Sequence, residues 1–128
     1  MSKLGCQCGN VICDNTNSLP YKAALLKDSF SEPFSDWLVS ELQSYVVAAE
    51  QGSVRSWLLS RGYTEDYLSL QLDHGNVLHD HLLCRLIDLR RTAYECSECG
   101  RLHVETVDDN AFVSYSPDSK KNNGVLSE

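Results

Sequence analysis

The chain has 128 residues, of which 18 are acidic and 11 are basic, and its formal net charge is −7. With 42% hydrophobic and 23% charged residues it is ordinary for a globular protein, and its length is enough for one modest core. The acidic balance argues against phosphate-backbone binding by the whole surface, and the lack of any run of about 18 apolar residues argues against a membrane span.

A cysteine pair near the start of the chain, Cys6 and Cys8, is followed at once by Gly9. Glycine permits the positive φ that a tight turn needs, and such a turn can aim two sulfur atoms at one point. Residues 10–14 then have the character of a short strand, and a turn cluster separates them from a second strand predicted over 21–27. We expect these two strands to form a hairpin.

The middle of the chain changes to helical periodicity, with apolar residues three and four positions apart. The first predicted helix has Ser35 as its N-cap and stops at Gly52. Ser53 caps a second, short helix, and a third helical stretch starts at Asp73 or Asn76. The apolar stripes also include Val46, Ala49, Val54 and Ile87, and the aromatic and Leu positions of the region are interpreted as core: Phe34, Trp37, Leu38, Leu42, Tyr45, Trp57, Leu58, Leu68, Leu70, Leu72, Leu78, Leu82, Leu83 and Leu86.

Strand character returns in residues 91–106, where side chains alternate on both sides of a second cysteine pair, Cys96 and Cys99. Residues 112–115 are one more candidate strand. We interpret residues 116–128, which are rich in Ser, Asn, Lys and Gly, as a mobile tail.

The two cysteine pairs predict a metal site with Cys6, Cys8, Cys96 and Cys99 as ligands, because four thiolates at tetrahedral corners suit Zn²⁺. The first residues contain no apolar signal region, so we expect a cytoplasmic protein whose thiols stay reduced, and six cysteines then favour metal over disulfides. Four thiolates leave no open position for water activation, so the predicted zinc is structural. The alternatives are four ordinary buried thiols, or a redox pair at Cys96 and Cys99.

Three other potential ligands stand outside this set. His103, four residues after Cys99, is an alternative ligand in place of one cysteine, and the sequence leaves this open. Cys13 and Cys84 are interpreted as small, buried apolar residues.

A second polar group comprises His74, His79, Asp80 and His81. On a helix, residues two apart point about 200° away from one another, which opposes joint binding of one metal by His79 and His81. We interpret the group as a solvated helix end, and a hydrolase that uses these residues is a further alternative.

The ends of the chain resemble a group of small, uncharacterised bacterial proteins. The segments CQCGNVICD (6–14) and LPYKA (19–23) are similar to their opening, YECSECGRL (94–102) is similar to their closing motif, and FVSYSP (112–117) is similar to the segment after that motif. The resemblance implies a split zinc ribbon and no particular activity. In size and acidity the chain is also similar to the immunity proteins of bacterial toxin–immunity pairs.

These observations predict an α+β fold in a single domain, 1–128. A small antiparallel sheet with a split zinc ribbon (5–29 and 91–115) carries a helical insert (30–90), and the tail 116–128 comes last. The predicted function is a non-enzymatic, zinc-stabilised protein-interaction module, specifically an immunity protein that neutralises a basic toxin such as a nuclease. The alternative is a nucleic-acid-associated or regulatory zinc ribbon. We expect neither a membrane nor nucleic acid as a partner of the leading candidate.

Overall fold

The structure, a computed structural model, describes residues 2–107, 111–119 and 124–126. The chain divides into two compact units, one formed by Met1–Leu26 with Arg90–Glu128 and the other by Lys27–Leu89. Strands build the first unit and helices build the second, which confirms the α+β class. The prediction that residues 1–128 form a single domain stays a prediction.

The described residues of the first unit, the β-unit, contain six strands. Their bounds are β1 (Ser2–Gly5), β2 (Val11–Asp14), β3 (Lys22–Leu26), β4 (Arg90–Glu95), β5 (Leu102–Glu105) and β6 (Phe112–Tyr115). β1 and β2 form a two-stranded sheet, and the other strands form a four-stranded sheet in the order β3-β4-β5-β6. Every one of these pairings is antiparallel.

The hairpin predicted between residues 10–14 and 21–27 is wrong. β2 pairs with β1, and β3 pairs with β4. The reason lies in the first cysteine turn, where the Gly9 N–H donates to the carbonyl of Cys6 at 3.0 Å and so turns the chain directly from β1 into β2. Because of that short connection β2 pairs with the preceding strand, β1. β3 pairs instead with β4, which lies far away in the sequence.

The helical segment is an insertion between two paired strands. Leu26, the last residue of β3, lies opposite Arg90, the first residue of β4. The chain therefore leaves and re-enters the sheet at neighbouring positions. Because the entropy of loop closure grows only with the logarithm of loop length, a long insertion at such a point is thermodynamically tolerable.

The core of the β-unit lies around the cysteine turns. Its buried members are Cys6, Ile12, Tyr94 and Cys96, and partly buried Leu4, Tyr21, Cys99 and Phe112 pack against them. Two phenols tie the strands to this core: Tyr94 donates a hydrogen bond to the carboxylate of Asp14, and Tyr21 donates to the carbonyl of Cys13.

Four helices make up the second unit, the helical unit. Their bounds are α1 (Asp28–Glu50), α2 (Val54–Ser60), α3 (Glu65–Leu68) and α4 (His74–Leu89). The buried core comprises Tyr45, Ala48, Trp57, Leu58 and Val77. In the described parts of the chain, no helix combines the length and apolar character needed to cross a bilayer.

The first helix is longer than predicted. It begins at Asp28 rather than after Ser35, and Pro33 lies inside it. Pro33 removes only one intrahelical donor, and the long apolar face of α1 compensates for that loss. The helix ends at Glu50, and the predicted stop residue Gly52 lies just beyond it with a φ of +68°, which allows its own N–H and that of Ser53 to donate to carbonyls of the last turn.

Three leucines predicted as core are exposed, Leu70 (61%), Leu72 (38%) and Leu83 (37%), as are Val46 (51%) and Ile87 (52%) of the predicted apolar stripes. Periodicity identifies the apolar positions of a helix, but the neighbouring helices decide how much of that surface is covered. In this small unit α1 contacts α2 and α4 on one side, and its opposite side faces solvent.

The predicted tail, 116–128, falls partly outside the described residues, which omit 120–123 and 127–128. In the part that is described, the Leu126 N–H donates to Glu95 Oε2 at 2.6 Å. The mobility of the tail stays a prediction.

Candidate metal centre

The first cysteine turn connects β1 to β2. The Cys6 N–H donates to the carbonyl of Asn10 at 2.9 Å, which closes the turn and leaves Cys6 buried and Cys8 exposed. Gly9 has a φ of +97°, a conformation that a residue with a Cβ rarely adopts. The single residue between the cysteines therefore suffices to bring both thiols to one side of the turn.

The second cysteine turn connects β4 to β5. The Gly100 N–H donates to the carbonyl of Cys96 at 2.8 Å, and the Cys96 N–H donates to the carbonyl of Arg101 at 2.8 Å. Gly100 takes a φ of +76°, as the sequence pattern requires. Cys96 is fully buried at the end of β4, and Cys99 is half-buried.

The two turns bring all four thiols together within the β-unit. The Sγ atoms of Cys6 and Cys99 lie 3.5 Å apart, as do those of Cys8 and Cys96, and all four sulfurs lie within 4.8 Å of one another. Zn–S bonds of about 2.3 Å in a tetrahedron require sulfurs about 3.8 Å apart. A disulfide requires about 2.05 Å, and all four cysteines are free thiols. The cluster is close enough to bind a metal ion, and four sulfurs suit a metal that accepts soft ligands.

The thiols differ in how easily they ionise. Burial opposes ionisation of Cys96, but hydrogen bonds from Asn10 Nδ2 and from the backbone N–H groups of Cys99 and Glu98 lower its pKa to about 6. For Cys8 the Asn10 backbone favours the thiolate, whereas desolvation and its hydrogen bonds with the other thiols raise its pKa to about 12. The surroundings of Cys96 therefore favour the thiolate, whereas those of Cys8 oppose it.

Arg101 and Asn10 support the thiolates from outside the cluster. The Arg101 backbone N–H lowers the pKa of Cys99, and the Arg101 guanidinium donates to the Cys99 sulfur at 3.3 Å. Asn10 Nδ2 donates to Cys96 Sγ at 3.5 Å. Donors to ligand sulfurs orient them and stabilise their charge. The sequence analysis did not identify Asn10 as part of the site, although it lies two residues beyond the second cysteine of its turn.

His103 is not one of the clustered ligands. It lies on β5 with 2% of its surface exposed, and its Nδ1 forms a hydrogen bond with Ser114 Oγ at 2.6 Å. Burial, with a smaller effect from the charge of Arg101, lowers its pKa. The group of potential ligands found in the described residues consists of the four cysteines without His103.

The other two cysteines lie outside the cluster. Cys13 is half-buried on β2, and Cys84 is exposed on α4 between exposed Leu83 and Arg85. The interpretation of Cys84 as a buried apolar residue is wrong, because α4 turns this position away from the core of the helical unit.

The histidines of α4 have separate partners. His74 Nδ1 lies 2.6 Å from the Tyr45 hydroxyl, and His81 Nδ1 lies 2.8 Å from the Tyr63 hydroxyl. The side chain of His79 is 67% exposed, whereas that of His81 is only 11% exposed. The predicted solvated helix end describes exposed His74, the first residue of α4; His79 is exposed but lies within the helix, and His81 is mostly covered. In the described residues these side chains form no metal-ligating group.

Asp80 and Glu41 complete the polar network of the helical core. Tyr67 donates to Asp80 Oδ2 at 2.9 Å, and Arg61 donates from two nitrogens to Glu41 Oε2 at 3.2 and 2.9 Å. The His81 ring also packs edge-on against Trp57, with centroids 5.0 Å apart. These partnerships hold the helices together.

Two turns far apart in the sequence, each carrying two cysteines and a positive-φ glycine, form a four-cysteine cluster that fits a zinc-ribbon-like site in an α+β protein. The chain belongs to the family described as "Domain of unknown function (DUF8617)", whose model matches residues 2–119. The match spans both cysteine turns and the whole helical unit. The search of curated proteins and the search of solved structures each gave no significant match.

Proposed function

We propose that the chain is a non-enzymatic, zinc-stabilised module that binds a basic protein partner. The proposal of zinc rests on the sulfur cluster. Its sulfur–sulfur distances run from 3.5 Å to at most 4.8 Å, a range that includes the separation of about 3.8 Å in a tetrahedral Zn²⁺ site. The partner part rests on the distribution of charge between the two units.

Four protein thiolates complete a tetrahedral shell, which supports a structural role for the metal rather than a hydrolytic one. Cys6 and Cys8 come from the start of the β-unit, whereas Cys96 and Cys99 come after the helical insertion. Zinc held by all four would couple metal binding to folding of the β-unit. A reducing compartment such as the cytoplasm would keep the thiols available for it.

The acidic charge is concentrated in the helical unit. Residues 27–89 contain ten Asp and Glu side chains against four Lys and Arg, a net charge of −6 out of the −7 of the whole chain. A field of one sign steers a partner of the opposite sign and raises the association rate more than the intrinsic affinity. The helical unit is therefore the part of the protein suited to a positively charged protein surface.

An immunity protein is the specific form of this proposal. Such a protein would bind a basic toxin, for example a nuclease, and cover the groove that normally receives phosphates. The small size and the acidity of the chain support it.

The test is a binding series with the purified full chain at increasing ionic strength. One arm uses the product of the adjacent gene, and the other uses mixed DNA and RNA. We expect tight binding to a basic gene product, with an association rate that falls steeply as salt screens the charges, and negligible binding to nucleic acid.

One observation favours a second candidate, a nucleic-acid-associated ribbon. Arg90, Arg91 and Arg101 lie on or beside the strands that carry the second cysteine turn, in the unit whose net charge is only −1. Strong binding to nucleic acid, together with no protein partner, would make this candidate the better one.

A further inference from the structure

The solvent-facing side of α1 carries an ordered stripe of exposed side chains. Its members recur alternately four and three residues apart, which keeps them on one face of a helix with 3.6 residues per turn. This outer stripe consists of Glu32, Asp36, Val39, Gln43, Val46 and Glu50. It extends over about 27 Å of helix, at 1.5 Å per residue.

The centre of the outer stripe has two valines, one on either side of Gln43, and both of its ends are acidic. Val39 is 53% exposed and Val46 is 51% exposed, although the opposite face of the same helix supplies buried Tyr45 and Ala48 to the core. Two valines on the solvent side of a helix contribute nothing to that core. Their position, one heptad apart, matches the spacing of contact residues between packed helices.

The carboxylates of the outer stripe have no ion-pair partner among the residues that the structure describes. Within the described residues, Glu32, Asp36 and Glu50 form no ion pair, whereas Glu41 on another side of α1 is paired with Arg61. Unpaired carboxylates at both ends of an apolar centre favour a ligand with the complementary order of cationic, apolar and cationic groups.

We infer that the outer stripe of α1 docks an amphipathic helix of a basic protein, with apolar side chains against Val39 and Val46 and Lys or Arg facing the acidic ends. This inference rests on the proposed function and specifies the surface that performs it. Parallel or antiparallel pairing of two copies of this chain along the stripe would place acidic ends against acidic ends. Like charges in contact are destabilising, so a second copy is disfavoured.

The test uses the full chain and a synthetic helical peptide. The peptide carries two leucines one heptad apart at its centre and lysines at the flanking positions of the same face, and a matched peptide has glutamates instead of the lysines. We expect the lysine peptide to bind and the glutamate peptide not to bind. Chemical shifts of the chain should change along α1.

The decisive variants reverse charge on and off the outer stripe. Glu32→Lys with Glu50→Lys should weaken binding of the lysine peptide by about tenfold or more. Asp88→Lys with Asp118→Lys changes the net charge equally at exposed positions off the stripe, and it should change binding by less than about twofold. Val39→Asp should also abolish binding, while circular dichroism confirms that each variant is folded.

Three results would overturn the inference. They are equal loss of binding in both charge-reversed pairs, chemical shift changes away from α1, and self-association of the chain that Val39→Asp abolishes. The proposed function can hold even if the inference fails. If Glu32→Lys with Glu50→Lys leaves binding of the basic gene product unchanged, the outer stripe is rejected as the binding surface and the proposed function is retained. Failure of the wild-type chain to bind both that product and the lysine peptide rejects both.

Discussion

The sulfur atoms of Cys8 and Cys96 lie 3.5 Å apart although 88 residues separate them in the chain. The contact joins the turn after β1 to the turn after β4. It forms because the first turn packs in one core with residues of β4, which lies beside β3 in the four-stranded sheet. The intervening helical unit is long, but its ends are held at paired residues of β3 and β4.

Metal content is the first prediction. The full chain, purified without chelator, should contain one Zn²⁺, and Cys96→Ser should contain almost none, because it removes a fully buried ligand of the cluster. Elemental analysis measures the content. Structural zinc contributes roughly 10–16 kcal/mol of apparent binding free energy in small finger peptides, so Cys96→Ser should also unfold the β-unit at lower denaturant concentration.

The matched control for this prediction is Cys84→Ser, at an exposed cysteine outside the cluster. It should retain both zinc and stability. A folded wild-type chain free of metal, or equal metal loss in both variants, would reject the site.

Stability of the helical unit is the second prediction. Trp57 is 6% exposed, contacts Tyr45 edge-on at 5.0 Å, and donates from Nε1 to Ser44 Oγ at 2.8 Å. Trp57→Ala should lower the free energy of unfolding by about 3–5 kcal/mol, because it leaves a large cavity and removes one of the two hydrogen bonds that the Ser44 hydroxyl accepts. Leu59→Ala on the same helix, at a position 42% exposed, should change it by no more than about 0.5 kcal/mol. Urea unfolding of the two variants gives the comparison, and similar losses would show that the core is misplaced.

The third prediction concerns alkaline pH. Burial of Tyr67, followed by its hydrogen bond to Asp80, raises the pKa of this phenol from 10.0 to about 12. Between these values the unfolded chain has lost the phenolic proton and the folded chain has kept it. The contribution of this group to the free energy of unfolding should therefore be fully present and constant below pH 10, and the free energy should fall as pH rises toward 12.

Asp80→Asn provides the test of that prediction. Removing the carboxylate should bring the pKa of Tyr67 closer to that of a free phenol, so the alkaline loss of stability becomes smaller. Tyr94, whose pKa is also about 12, lies in the other unit and contributes equally to both proteins. Unfolding curves at several alkaline pH values would contradict the prediction if the two slopes were identical.

The sequence by itself determined the features that depend on neighbouring residues. The glycines after each cysteine pair predicted tight turns, and Gly9 and Gly100 have positive φ. Helical periodicity located α1 and α4, and alternation located β4 and β5, because these patterns arise from the geometry of a single element. The four thiols were chosen for the spacing of each pair and for the chemistry of sulfur ligands.

Only the tertiary structure decided which elements meet. The pairing of β3 with β4, the burial of His81 beside Trp57 and the exposure of Val46 each depend on residues distant in sequence. Local patterns specify an element and its polar or apolar positions, but burial is a property of the residues that pack against it. That is why the sequence placed Val46 on the apolar stripe of the helix, and why its exposure on the outer stripe of α1 became visible only in the fold.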